Sequence, residues 1–89
     1  MAHTFEELVE MQRRADEAHA QVLALRDQFG PPTSASWSDQ QTETYETAWR
    51  AWRDLARDVQ AAVTEYAKDQ GENRYHVEAG VKKTARHPE

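Results

Sequence analysis

The first sustained rhythm of apolar positions runs through Leu8, Met11, Ala15, Ala18, Val22, Leu25 and Phe29. Steps of three and four place these side chains along one face of an α-helix. Ahead of this seam, Thr4 and Glu7 have capping-box spacing, in which each side chain satisfies a free amide at the helix start. Glu6, Glu7, Glu10, Asp16 and Glu17 crowd the N-terminal half, where they complement the helix dipole. After Phe29 come Gly30, Pro31 and Pro32, a glycine cap and two residues that cannot continue the hydrogen-bond ladder. The pattern predicts a helix over about 4–29.

A second seam is stronger. Tyr45, Ala48, Trp52, Leu55, Val59, Ala62 and Tyr66 alternate by three and four, and Trp49, Ala56 and Val63 widen the stripe on one side. Arg50, Arg53, Asp54, Arg57 and Asp58 fall away from it. Ser38 and Gln41 repeat the capping-box spacing, which predicts a loop over 30–37 and a helix over about 38–70. Gly71 ends that helix and Asn73 caps a third, over about 73–86, with Tyr75, Val77 or Glu78, and Val81 as a weak apolar face. Gly80 interrupts this helix at a cost of ~1 kcal/mol relative to alanine.

These elements predict an all-α fold, one small helical domain over 1–89. It consists of a long antiparallel two-helix hairpin plus a shorter C-terminal helix. The hairpin alone leaves much of the aromatic stripe in water, which forgoes ~1.5–3 kcal/mol for each large side chain. The third helix or a second copy is therefore expected to cover it, giving a helical-bundle dimer. Tyr45, Trp49, Trp52, Leu55, Val59 and Tyr66 are the residues expected in the core or the self-association face.

Composition removes most chemistry from consideration. The chain has 89 residues, 38% hydrophobic and 30% charged, with three glycines and three prolines. It is too short for a deep pocket walled on all sides, and too poor in turn residues for a many-stranded fold. Without cysteine there is no disulfide, thiolate zinc site or thiol nucleophile. The three glycines are isolated, so no phosphate cradle forms, and the serines of the 33–38 stretch have no histidine–acid partners. Asp16 and His19 have an i,i+3 carboxylate–histidine spacing, but no second such pair exists to complete a dinuclear metal site. His19 reads as a half-buried structural residue, and no catalytic residue, metal or cofactor is expected.

No apolar run approaches the ~20 residues of a membrane span, and the N-terminus lacks the apolar segment of a secretory signal. A cytoplasmic protein with a helical partner, a second copy above all, is the expectation. Eight arginines against three lysines, with no isoleucine, point to a GC-rich bacterial genome.

The net charge of −5 is unevenly spread. Residues 1–70 carry seven Lys/Arg against thirteen Asp/Glu, and residues 71–89 carry four against three. An acidic body repels phosphates at long range. The segment 67–86 nevertheless resembles a helix-turn-helix, through Ala67, the turn glycine Gly71, the cap Asn73 and the apolar Val77. That resemblance implies a DNA-associated regulator, in which Arg74, Lys82, Lys83 and Arg86 contact phosphates. Glu72 and Gly80 stand where the motif has apolar residues. Docking of the third helix on the hairpin explains the same residues, and a non-enzymatic interaction module is the leading expectation.

Overall fold

The computed structural model describes residues 3–30 and 37–87. Pro31, Pro32 and the serine-containing loop at 33–36, on which the sequence-based stop of the first helix partly rests, lie outside the described residues. Among those described, the protein is entirely helical, with no strand: α1 spans Phe5–Phe29, α2 Asp39–Gln70 and α3 Arg74–Arg86. The three helices pack as a bundle, elongated to 50 × 27 × 18 Å. No described helix is long and apolar enough to cross a membrane.

Each helix boundary has a local cause. Thr4 accepts from the Glu7 amide at 3.1 Å while Glu7 accepts from the Thr4 amide at 3.2 Å, so two orphan donors are satisfied reciprocally. Ser38 and Gln41 repeat this at the start of α2, at 3.1 and 2.9 Å. Gly71 ends α2 in the left-handed region, at φ 65° and ψ 33°, where a Cβ would be strained. The Glu72 amide then closes back on the Ala67 carbonyl at 2.9 Å. Asn73 accepts from the amides of Tyr75 and His76, and α3 begins three residues after the glycine. At the end of α1, Gly30 also takes a positive φ, of 79°.

The buried core lies toward one end of the molecule. Leu8, Val63 and Val81 are its largest fully enclosed side chains, one from each helix. Val9, Ala15, Val59, Ala62, Ala67 and Val77 complete it, flanked by Phe5, Met11, Leu55, Tyr66 and Ala85. Gly80, the weak point of α3 on propensity, faces the Phe5 ring. Tyr75, expected on the apolar face of α3, instead points outward and is 75% exposed. The helix turns Val77 and Val81 inward, and a residue two before Val77 falls on the opposite side.

Ring contacts record how α1 and α2 meet. Phe5 lies 6.3 Å from Tyr66, His19 stacks on Trp52 at 4.5 Å, and Trp37 sits between Phe29 and Tyr45 at 5.6 and 5.0 Å. The Trp37 indole also donates to the Gly30 carbonyl at 2.9 Å. Residues close in number to the α1–α2 connection are thus held together by three aromatic rings.

Candidate interaction surface

Two rows at seven-residue spacing border the groove in which α3 lies. On α1 the row is Val9, Asp16 and Leu23; on α2 it is Val63, Ala56 and Trp49. A seven-residue step is two helical turns, so each row stays on one face of its helix. Val9 and Val63 are buried in the core shared with α3. One step along, Asp16 accepts from Arg86 at the end of α3, through Nε at 3.2 Å and Nη2 at 3.1 Å. Another step along, Leu23 is 49% exposed and Trp49 38% exposed. They are two of the three exposed large apolar side chains among the described residues. By the seven-residue spacing both lie past the end of α3, Leu23 over a hollow lined by Arg26, Asp27 and Gly30 and Trp49 over one lined by Tyr45, Glu46 and Arg50.

A cleft of ≈ 230 Å³ marks the end of α3. Ala15, Ala56 and Val59 supply its apolar part, and His19, Trp52, Lys82 and Arg86 stand around it. Gln12, the one buried polar residue described, donates to Asp16 Oδ1 at 2.8 Å. Burial pushes the Asp16 carboxyl up, but the hydrogen bonds from Arg86 and Gln12 and the Arg86 charge outweigh it, so its pKa falls below the ordinary value. Asp16 also raises the pKa of Arg86, chiefly through their hydrogen bond. His19 faces the Trp52 ring while Asp16 faces Arg86, so the two residues at metal-ligand spacing engage different partners. Among the described residues no group of three or more potential ligands could hold a metal ion.

The aromatic stripe of α2 is divided by this geometry. Val59 is buried, while Leu55 and Tyr66 are half-buried against the core. Trp52 is half-buried under His19 where α3 ends, and Tyr45 is half-buried beside Trp37. Trp49 lies between them, with the Arg53 guanidinium 5.0 Å from its ring centre. The six residues therefore form a core contribution and an open contribution, not one continuous face.

The basic residues of α3 are mostly engaged within the molecule. Arg74 donates to Thr64 at 2.8 Å, bonds the Gln60 side-chain oxygen and meets Glu78 at 3.5 Å. Lys82 reaches Glu78 at 3.3 Å. The bond from Gln60 holds Glu78 below its ordinary pKa; burial opposes this, and Lys82 and Arg74 add to the lowering. Arg86 is held by Asp16, whereas Lys83 is exposed and makes no ion pair among the described residues.

Leu23, Phe5 and Val9 lie outside the seam traced by steps of three and four. The signal for Leu23 is its position fourteen residues after Val9, the same row two steps along. No protein-family model, curated protein or solved structure matches this chain.

Proposed function

We propose that the protein is a non-enzymatic, cytoplasmic helical interaction module that self-associates. Its frame is an antiparallel α1–α2 hairpin with α3 laid along one half. The order of ring contacts supports the antiparallel sense: Phe5 with Tyr66, His19 with Trp52, then Phe29 and Tyr45 against Trp37.

The observation that carries this reading is the pair of exposed apolar side chains past the end of α3, Leu23 on α1 and Trp49 on α2. Exposed aromatics with an adjacent arginine match the composition of protein–protein interface centres. Light scattering over a range of concentrations tests it. Mass is expected to rise from 10.3 kDa toward twice that value, and a strict monomer at the highest concentration would end the proposal.

The runner-up is a DNA-associated regulator acting through residues 67–86. The left-handed turn at Gly71, the Asn73 cap and the inward Val77 support it. The intramolecular partners of Arg74, Lys82 and Arg86 weigh against it, since phosphate binding would have to displace them. A gel shift at low salt is the test, and absence of any shift there removes this reading.

A further inference from the structure

This exposed pair also constrains how a second copy would sit; this step rests on the self-association reading above. The 13 residues of α3 cover about 20 Å of the α1–α2 pair at ~1.5 Å per residue. From Asp16, where Arg86 is clamped, to Gly30 the remaining stretch of α1 measures about 21 Å by the same rise. The covered and open halves are therefore nearly equal in length. Leu23 is midway between positions 16 and 30, and Trp49 lies one heptad from Ala56 and one from Thr42. The two exposed apolar residues fall at the middle of the open half.

We propose that two copies pack their open halves face to face about a twofold axis running through the level of Leu23 and Trp49. The axis lies across the helices. Each α1 then crosses its counterpart in the opposite direction, as does each α2, and the two α3 helices lie at opposite ends. The end of α3, at Arg86, acts as a stop that sets the register.

Charge supports a second copy as the occupant. A twofold contact is isologous, so residue i meets j while j meets i. Reflected about a point next to Trp49, Glu46, which meets Arg50 of its own helix at 3.6 Å, comes opposite Arg53 of the second copy, and Arg53, over the Trp49 ring, opposite its Glu46. On α1, Asp27 comes opposite His19 of the second copy about Leu23. Arg26, Arg50 and Arg53 against Asp27 and Glu46, the charges beside Leu23 and Trp49, leave this face at +1 on a chain of net −5. This self-complementary rim offsets the repulsion that two acidic molecules otherwise feel. A face about 20 Å long and two helices wide is at the small end of specific interfaces, so association is expected to be concentration-dependent.

The chain contains no cysteine, which allows single-cysteine variants without background. Leu23→Cys is expected to form an intermolecular disulfide rapidly under mild oxidation, because position 23 lies at the axis. Tyr75→Cys, on exposed α3 surface, is expected to couple only slowly. Glu46→Arg is expected to weaken dimerisation ~10-fold by setting two arginines opposite each other, and Glu46→Arg with Arg53→Glu to restore it. Because Glu46 also meets Arg50 within its own helix, restoration is read from the dimerisation constant, with monomer stability followed separately.

A dimer in which Tyr75→Cys couples as fast as Leu23→Cys, or in which the charge reversal fails to rescue, overturns this arrangement while leaving self-association standing. A monomer at every concentration overturns both. Rapid Leu23→Cys coupling together with rescue supports the twofold packing.

Discussion

Leu8 and Trp52 show how differently two large apolar residues of one bundle contribute. Leu8 is fully enclosed by core residues of all three helices, so removing its side chain leaves a cavity that neighbours on rigid helices fill only in part. Leu8→Ala is expected to cost ~2–5 kcal/mol, a large fraction of the roughly 5–10 kcal/mol that a domain this size holds. Urea denaturation followed by circular dichroism measures it, and a loss below about 1 kcal/mol would contradict the burial. Trp52 is half-buried, with His19 stacked on its ring. Trp52→Ala is expected to cost about 1.5–3 kcal/mol, since part of the ring is in water already. Trp49→Ala, at a 38% exposed position, is expected to cost less, about 1 kcal/mol, while weakening association. A large drop in thermal stability with unchanged mass would place Trp49 in the core instead.

At the scale of the element, α3 is the helix whose sequence and docking conflict most. Its propensity is lowered by Gly80, and it buries only Val77 and Val81 fully. A Cβ on Gly80 would meet the Phe5 ring at 3.8 Å, an ordinary contact, and the glycine has no positive φ to defend. Gly80→Ala is therefore expected to stabilise the protein by about 0.5–1 kcal/mol, read from the urea midpoint at unchanged slope. Electrostatics hold the other end of α3. Asp16 and Glu78 both have pKa values below the ordinary carboxylate value. Their stabilisation is thus present above the unfolded-state pKa, near 4, and is lost as pH falls through the lower folded values. The Asp16–Arg86 pair is partly exposed and is expected to contribute about 0.5–1 kcal/mol. Asp16→Asn should lower stability at pH 7 and flatten its loss between about pH 5 and 2; an unchanged acid limb would mean that Asp16 does not hold α3. The caps of α3 were legible because they are local: Gly71 and Asn73 announce a turn whatever surrounds them. The Asp16–Arg86 contact joins residues seventy positions apart, and nothing in either neighbourhood specifies it. The same limit applies to the open surface. Steps of three and four traced the aromatic stripe of α2 but passed over Leu23, because its row is defined by the groove that α3 occupies.

Across the whole molecule, stability is expected to be polarised along the 50 Å axis. The end that contains α3 holds the buried cluster, whereas no described residue of α2 before Val59 is fully buried, and on α1 only Val22 is buried beyond Ala15. Between the cleft at Trp52 and the rings of Phe29, Trp37 and Tyr45, two helices face each other without a third. Local opening free energy follows buried apolar contact, so backbone amides there should exchange through cheaper fluctuations than those around Val63. In dilute solution, hydrogen exchange is expected to be faster over 18–28 and 43–54 than over 59–67. Equal protection along α2 would mean that the helix opens as one unit. The concentration dependence separates two sources of order. If the open half is held only by its own α1–α2 contacts, its exchange is independent of protein concentration. If a second copy covers it, binding to the closed form shifts that equilibrium by mass action, and protection over 18–28 and 43–54 rises with concentration. Amides around Val63 already lie beneath α3 and should change much less. Exchange that slows around Tyr75 instead would move the contact to the outer face of α3 and leave Leu23 and Trp49 uncovered.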